Sequence, residues 1–414
     1  MIKKFSLLPV TVLLALPVNS AFPQGTARYF DDIFSTVTKT SDITFGQNKS
    51  VNGSTVILKL DVYQPTGDTT AKRPVVIFGH GGTFIGGSKT DGDVVTLCNR
   101  FAKKGYVTVS YNYRIGIGFP FNQQTASQAV YRATQDAKAV VRFLYKDASS
   151  SNTFKIDTNF IYLGGSSAGA FIALHYAYLD DPAELPAYLD TTGLGNMEGN
   201  SGNPGFSSKV NAVINLSGAL GDTSWMAPGD EPACSMHGTA DQTVPYGTGM
   251  IYISGFPIMV VDGSSTVDVK ANMTGITHSF YTWPGADHAP YASGASPDPA
   301  AYMDTTVDFI RDFLCEQSQL CVVQPGIDKR ENSAVYFKLI PSQTGDKITI
   351  LPLYPEISFT AEISDVLGKV IMRHESNGKP IVISKNEPRG GIYLVKITVA
   401  DGTSQVEKIY FKEK

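Results

Sequence analysis

The chain has 414 residues, of which 42% are hydrophobic and 17% are charged, and its formal net charge is −4. The length is enough for two or three domains, and these proportions are typical of a folded globular protein and exclude a disordered chain. The acidic excess lies in residues 21–334. That excess argues against nucleic acid as a partner, because phosphate binding needs a basic surface.

Residues 1–20 have the pattern of a signal peptide. Lys3 and Lys4 supply a positive start, residues 5–18 are an apolar stretch, and the small residues near its end suit cleavage after Ser20. A short membrane anchor is the alternative, although the stretch is too short to span a bilayer comfortably. We therefore expect an exported chain.

Between residues 21 and 321 the hydrophobic pattern alternates between strands and helices. Short apolar runs, typical of strands buried on both faces, are followed by segments of helical periodicity. This alternation predicts an α/β fold, in which helices cover both faces of a mostly parallel sheet. The predicted strands cover residues 56–63, 74–79, 106–111, 160–164, 210–216, 234–238 and 280–283, and the predicted helices cover residues 94–104, 125–146 and 168–178.

A glycine-rich segment with the sequence G-H-G-G-T-F occupies residues 79–84 and follows the second predicted strand. In several hydrolases the backbone N–H groups of such a loop stabilise a substrate oxyanion. We predict an oxyanion hole made by the amides of Gly82, Thr83 and Ala168, with His80 bracing the loop. A plain glycine-rich turn is the alternative, and the absence of a G-K-[ST] pattern excludes a nucleotide-binding loop.

The segment 165–169 reads G-S-S-A-G and lies between a predicted strand and a predicted helix. That context is the one in which G-x-S-x-G forms a nucleophile elbow. The turn is so tight that the serine takes strained dihedrals, and the flanking glycines let the backbone approach closely. We predict that Ser167 is a nucleophile and that Ser166 points elsewhere. A simple Gly/Ser turn is the alternative.

Residues 180–208 interrupt the alternation and are rich in Gly, Pro, Asn and Asp. They could form a lid over the site or an ordinary surface loop. Tyr176 and Trp225 could line a substrate pocket or could simply pack in the core. The sequence leaves both questions open.

The acid and the base are expected after the nucleophile, in that order along the chain. His288 follows a predicted strand, at the sheet edge where catalytic loops of α/β folds lie. His278 falls at the other end of that strand and is expected to be structural. Asp241 lies in the exit loop of the preceding strand, where a carboxylate can orient the imidazole. Asp262 and Asp287 are its rivals.

The cysteines are Cys98, Cys234, Cys315 and Cys321. None of their spacings suits a zinc site, and we predict neither a metal nor a cofactor. An even number in an exported chain suggests disulfides. Cys315 could pair with Cys321 in a small loop or lie beside Cys98 on a neighbouring helix, and the sequence does not choose between these pairings.

The chain changes character after the predicted catalytic domain, which covers residues 21–321. Residues 322–334 combine Pro, Gly and a charge cluster, as a linker does. Residues 335–414 alternate short β-rich segments with turn residues, which predicts a small all-β sandwich.

Residues of about 45–318 resemble the carboxylesterase branch of the α/β-hydrolase superfamily, closest to the group with feruloyl, acetyl-xylan and hormone-sensitive-lipase-like esterases. Thr83, in place of a third glycine, and Ser166, where many relatives have an acidic residue, depart from the pattern. The resemblance implies the α/β-hydrolase fold. The matching segments are His80–Gly82, Tyr111–Arg114, Asp136, Ile156–Asp157, Gly165–Gly169, His237–Asp241 and Gly285–His288.

Residues 335–414 resemble the C-terminal sorting domain of the type IX secretion system of certain Gram-negative bacteria. This resemblance implies export across the outer membrane, the type IX machinery as a partner, and a tail that is cleaved or used for surface attachment. An accessory β-sandwich, such as a carbohydrate binder, is the alternative. The motifs are Asp346–Ile350, Asp365–Lys369, Gly390–Ile397 and the lysine-rich segment Lys408–Lys414.

Together these features predict a secreted or cell-surface serine hydrolase of carboxylic esters that forms an acyl-enzyme through Ser167, His288 and Asp241. A peptidase or amidase on the same fold and a non-catalytic surface binding protein are the alternatives. The ester substrate could be a small molecule or an acylated polymer.

Overall fold

The computed structural model describes residues 28–321 and the segments 337–341, 347–352, 358–365, 368–384, 391–399 and 404–411. The predicted signal peptide and linker lie outside the described residues. The chain separates into two compact units, which divide between residues 324 and 325. Each unit is described by itself below.

The larger unit is built on an eight-stranded sheet in the order β1-β2-β4-β3-β5-β6-β8-β11. The first three strands of this order pair antiparallel, and all the other pairs are parallel. The strands are β1 (Val37–Lys49), β2 (Thr55–Pro65), β3 (Arg73–Gly79), β4 (Val107–Tyr111), β5 (Ile156–Ser166), β6 (Ala212–Leu216), β8 (Ala233–Gly238) and β11 (His278–Trp283).

Helices cover both faces of this sheet, because successive side chains of each strand point to opposite sides. On β3, Val75 and Ile77 join one core with α2, α3 and α4, whereas Val76 and Phe78 join the other core with α1 and α5. The predicted α/β-hydrolase architecture is therefore confirmed. The helices are α1 (Gly92–Lys103), α2 (Gln123–Ser149), α3 (Ala168–Tyr178), α4 (Ser264–Thr274) and α5 (Pro299–Ser318).

Every residue of α3 is buried, because the helix lies between the sheet and α2. A small antiparallel sheet in the order β7-β10-β9 stands beside the main one, and its hairpin was not expected from the sequence. Its strands are β7 (Ala219–Leu220), β9 (Thr248–Ile253) and β10 (Phe256–Gly263). Within the described part of the chain, no helix is both long and apolar enough to cross a membrane.

The smaller unit contains two antiparallel sheets, in the orders β12-β13-β16 and β15-β14-β17-β18. Alternate side chains of both sheets meet in one apolar core, where the rings of Phe337 and Phe359 lie 4.5 Å apart. This is the sandwich that the sequence predicted. The strands are β12 (Phe337–Pro341), β13 (Lys347–Pro352), β14 (Ser358–Asp365), β15 (Val370–Asn377), β16 (Ile381–Ser384), β17 (Gly391–Val399) and β18 (Ser404–Phe411).

The structure decides the cysteine pairing that the sequence left open. Cys315, near the end of α5, forms a disulfide with Cys321, and their Cα atoms are 5.2 Å apart. Cys98 and Cys234 are buried free thiols in the apolar core between α1, α5 and the sheet. Burial raises the pKa of both thiols well above the ordinary range, so they behave as small apolar side chains.

Candidate active site

Ser167 occupies a sharp turn between β5 and α3. Its φ is 52° and its ψ is −114°, a conformation that L-residues rarely adopt. The turn closes because neighbouring backbone segments touch. A Cβ on Gly165 would lie 2.4 Å from the carbonyl carbon of Gly169, and one on Gly169 would lie 2.2 Å from the carbonyl oxygen of Gly79. Both glycines are therefore required by close approach, and the strained serine is held over the edge of the sheet.

The imidazole of His288 lies between Ser167 and Asp241. Its Nε2 is 2.9 Å from the Ser167 hydroxyl, and its Nδ1 is 2.7 Å from Oδ2 of Asp241. The loops after β8 and β11 bring the last two residues together, because these parallel strands are neighbours and end at the same edge. Since a carboxylate can only accept, Nδ1 carries the proton and Nε2 is free to take one from the serine.

The side chain of Asp241 is completely buried and is surrounded by N–H donors. Its Oδ1 accepts from the amides of Thr243 and Val244, both at 2.8 Å, and its Oδ2 accepts from His288 and from His237. Burial alone would raise the pKa of Asp241, but the hydrogen bonds from the two histidines and from the loop outweigh it and hold the pKa well below its ordinary value of 3.8. The carboxylate therefore stays ionised throughout the neutral range.

His237 is a member of the site that the sequence analysis did not identify. It is fully buried, and its Nε2 lies 3.1 Å from Oδ2 of Asp241. Its Nδ1 lies 2.7 Å from the hydroxyl of Ser264, which in turn accepts from the amide group of Asn215 at 2.9 Å. Nε2 of His237 also lies 3.2 Å from the carbonyl oxygen of Val244. Since a carbonyl and a carboxylate can only accept, Nε2 carries the proton and shares it between Val244 and Asp241. The available signal was a histidine four residues before the candidate acid.

The three amides predicted to form an oxyanion hole belong to two adjacent segments. Gly82 and Thr83 have φ values of 107° and 55°, and Gly81 packs against Ser167, since a Cβ placed there would lie 3.4 Å from that of the serine. Within residues 28–321, the amides of Gly82, Thr83 and Ala168 donate to no other protein group. They are therefore free to donate to a ligand.

His80 braces this loop, as the sequence predicted. Its ring stacks on that of Tyr113 with centroids 4.2 Å apart, and its Nδ1 lies 2.7 Å from the carbonyl oxygen of Gly81. The Tyr113 hydroxyl donates to the His80 carbonyl at 3.0 Å. Burial lowers the pKa of His80, which keeps the ring neutral and fixed in place.

The other residues considered for the acid and the base, and the neighbouring Ser166, lie away from the imidazole of His288. Ser166 points away from the site, and its hydroxyl lies 2.8 Å from that of Tyr291. Asp262 accepts from Thr223 and Thr248, Asp287 accepts from the amides of Gln242 and His288, and His278 contacts Asp268. None of these side chains contacts the imidazole of His288, so Asp241 is its acidic partner.

A mostly apolar cleft opens beside Ser167. Trp225 contributes to its wall, whereas Tyr176 does not and instead donates its hydroxyl to the carbonyl of Ser208. Part of the segment 180–208 forms another wall, and this part is tied to α2 by hydrogen bonds from Gln135. The rest of the wall comes mainly from α2, α3 and the β9–β10 hairpin, and α2 contributes the polar side chains of Ser127, Thr134 and Lys138. The other lining residues of the whole cleft include Phe84, Ala126, Val130, Tyr131, Phe171, His175, Leu179, Pro186, Tyr188, Leu189, Met197, Thr243, Val244, Ile251, Tyr252, Ile253, Ile258, Met259 and Val261.

Residues 60–227 match the model of the BD-FAE family, which groups esterases of the α/β-hydrolase type. This segment contains Ser167 and the glycine-rich loop but ends before Asp241 and His288. No curated protein matches the chain.

Among solved structures, the chain is similar to esterase 2 of Thermogutta terrifontis. The form phosphoramylated by tabun is 22% identical, covers 68% of this chain and 95% of its own, and has a TM-score of 0.50. The propionate-bound form is 23% identical, covers 67% of this chain and 94% of its own, and has a TM-score of 0.48. At this identity the first likeness supports the α/β-hydrolase fold alone, and the family match shows only that residues 60–227 are similar to the BD-FAE family.

Proposed function

We propose that the protein is a serine hydrolase of carboxylic esters. The observation that carries this proposal is the hydrogen-bonded chain from Ser167 through His288 to Asp241. In the first half-reaction, Nε2 of His288 takes the serine proton while Oγ attacks the ester carbonyl. The imidazolium that forms is stabilised by the Asp241 carboxylate and then gives its proton to the departing alcohol. Water, activated by the same histidine, releases the acid from the acyl-enzyme.

The amides of Gly82, Thr83 and Ala168 are proposed to stabilise the negative charge that develops on the carbonyl oxygen. They have no other acceptor in residues 28–321, and Ala168 is the first residue of α3, where the helix dipole favours an anion. Losing one such donor lowers turnover by roughly 10²–10³-fold. The side chains described here supply every proton transfer of this mechanism.

The test is Ser167→Ala, measured by hydrolysis of p-nitrophenyl butanoate and by labelling with a fluorophosphonate probe. We expect both to disappear, because only the activated serine reacts. Ser166→Ala is the matched control, since its hydroxyl faces Tyr291 and should leave labelling intact. Full hydrolysis by Ser167→Ala would refute the proposal. An arylamide panel run beside the ester tests the amidase alternative.

We also propose that the enzyme is exported by a type IX system and is secreted or held at the cell surface. The support is the signal-peptide pattern of residues 1–20 together with the motifs of residues 335–414, a segment whose described strands form a sandwich. Deleting residues 335–414 in a bacterium with this system should leave the enzyme in the periplasm. Normal release of the shortened chain, assayed in the medium and on cells, would refute this assignment.

A further inference from the structure

The cleft beside Ser167 runs along one side of α3. Phe171 and His175 follow the serine at intervals of four residues, so all three share a helix face, and each contributes to the cleft wall. At 1.5 Å per residue, His175 lies about 12 Å along the axis from Ser167. The cleft is therefore long enough for a ligand much larger than an acetyl group.

The position of His288 indicates which part of an ester enters this cleft. The leaving alcohol must face Nε2 of His288, which returns the proton to it. Among the described residues, the wall includes Ser167 and Ala168 but not His288. The alcohol therefore lies outside the cleft, and the acyl part lies within it.

His175 is a polar group in this apolar wall. Its side chain is more than nine-tenths buried, and its Nδ1 lies 2.8 Å from the carbonyl oxygen of Phe171. Since a carbonyl only accepts, Nδ1 carries the proton and Nε2 presents a lone pair. Within residues 28–321 no protein group donates to Nε2. Burial lowers the pKa of His175 to about 4, so the ring is neutral at the pH of any ordinary esterase assay.

The backbone of Gly221 packs closely beside this nitrogen and the ring of Trp225. A Cβ at that position would lie 3.2 Å from Nε2 of His175 and 2.7 Å from Cη2 of Trp225. Gly221 and Trp225 both belong to the cleft wall. Nε2 of His175 is not among the fully buried side-chain atoms that lack a partner in the described residues, so it reaches the cleft, where a ligand donor can complete its hydrogen bond.

We propose that the cleft binds an apolar acyl group whose far end carries a hydroxyl, and that this hydroxyl donates a hydrogen bond to Nε2 of His175. This inference rests on the proposed ester hydrolysis and names the substrate class. An extended chain advances roughly 1.3 Å per bond, as a polypeptide does. An ω-hydroxyoctanoyl chain therefore spans about 10 Å to its oxygen, and a hydrogen bond of about 3 Å completes the distance to His175. Butanoyl and shorter groups do not reach it.

The experiment compares kcat/KM for the p-nitrophenyl esters of ω-hydroxyoctanoate, octanoate and butanoate, with the full chain. The wild type should prefer the hydroxylated ester over octanoate by roughly three- to tenfold, the factor expected for one added hydrogen bond. In His175→Phe, which keeps an aromatic ring in the wall, this preference should vanish or reverse. His175→Gln keeps an acceptor and should retain part of it. Tyr131→Phe, which removes another polar group of the wall, is the matched control and should keep the preference.

Two results would overturn the inference: a wild-type enzyme that treats the two eight-carbon esters alike, or a preference that survives in His175→Phe. A preference that is lost in Tyr131→Phe instead would do the same, because it would assign the hydroxyl to another wall group. Butanoate separates this failure from failure of the proposed function. If even butanoate is not cleaved in a Ser167-dependent manner, the ester hydrolase assignment itself fails.

Discussion

Replacing Asp241 by asparagine tests the central geometry of the site most directly. Four N–H groups converge on the carboxylate: two backbone amides on Oδ1, and the imidazoles of His288 and His237 on Oδ2. Asparagine offers only one accepting oxygen, and its other atom is a donor. Whichever way the amide turns, two donors meet an NH₂ group.

The side-chain amide of the asparagine should turn its oxygen to the two backbone amides. A backbone N–H is always a donor, whereas an imidazole can move its proton to the other ring nitrogen and become an acceptor. The NH₂ group then faces Nδ1 of His288, which must become an acceptor. The imidazole proton moves to Nε2, where it points at Ser167 and the base is lost. A triad with the wrong tautomer loses about 10⁴-fold in kcat, or roughly 5.5 kcal/mol at 1.36 kcal/mol for each factor of ten.

The assay is kcat/KM for p-nitrophenyl butanoate, with thermal unfolding measured on the same samples. We expect the activity of Asp241→Asn to fall by about 10⁴-fold, while the fold loses only about 1–3 kcal/mol from imperfect hydrogen bonding. Asp262→Asn and Asp287→Asn are matched controls, since neither carboxylate contacts the imidazole of His288, and we expect changes of less than about tenfold. Retention of more than a tenth of the activity by Asp241→Asn, or an equal loss in either control, would refute this assignment of the acid.

Four further outcomes follow from the same contacts. His237→Phe removes a donor to Asp241, so the carboxylate stabilises the His288 imidazolium more strongly and less of the imidazole is the neutral base at a given pH; the acid limb of the kcat/KM–pH profile should therefore move to higher pH and activity near neutral pH should fall by up to about tenfold, whereas an unshifted profile would indicate a purely structural role. The depressed pKa of Asp241 adds stability that is present above pH 3.8 and is lost as the pH falls further, so acid unfolding of Asp241→Asn followed by circular dichroism should show a smaller dependence below pH 4 than the wild type. Burial lowers the pKa of His175 from an ordinary 6.5 to about 4 in the folded protein. As the pH falls from 6.5 to 4, the free energy of unfolding of the wild type should therefore decrease by up to about 3 kcal/mol, and that of His175→Phe should not show this decrease; equal pH dependences of the two free energies, measured by urea titration, would contradict this. Gly169→Ala would place a methyl group 2.2 Å from a carbonyl oxygen of β3, so we expect impaired folding and loss of esterase activity, and a soluble, fully active variant would show that the elbow is looser than described.

The order of seven strands and three helices in the larger unit could be predicted because the period of the hydrophobic pattern depends on local geometry, whereas α4 and α5 were not predicted. Fully buried parallel strands such as β3, β4, β6 and β8 are continuous apolar runs, and α2 and α3 show helical periodicity or uniform burial. The β9–β10 hairpin was missed because its residues alternate irregularly and the strands pair only with each other and with β7. Such pairing depends on long-range contacts that the local pattern does not contain.

The candidate nucleophile and the candidate base could be predicted because both lie in short motifs with a defined place in the fold. Asp241 could be ranked first for the same reason, but its rivals could be set aside only after the side chains were placed. His237 carried little signal of its own, since a histidine in a buried strand most often packs as an apolar residue. Its role depends on Ser264 and Asn215, which approach it from other elements.

The sequence by itself therefore determined the fold class and pointed to the serine, its histidine and the glycine-rich loop as candidates, because each is specified by residues adjacent along the chain. Only the tertiary structure decided which carboxylate faces His288, which cysteines pair, that Trp225 rather than Tyr176 borders the cleft, and that His175 presents a free nitrogen there. These outcomes depend on distances between side chains that are far apart in sequence, and those distances are fixed by how the helices and the hairpin pack on the sheet.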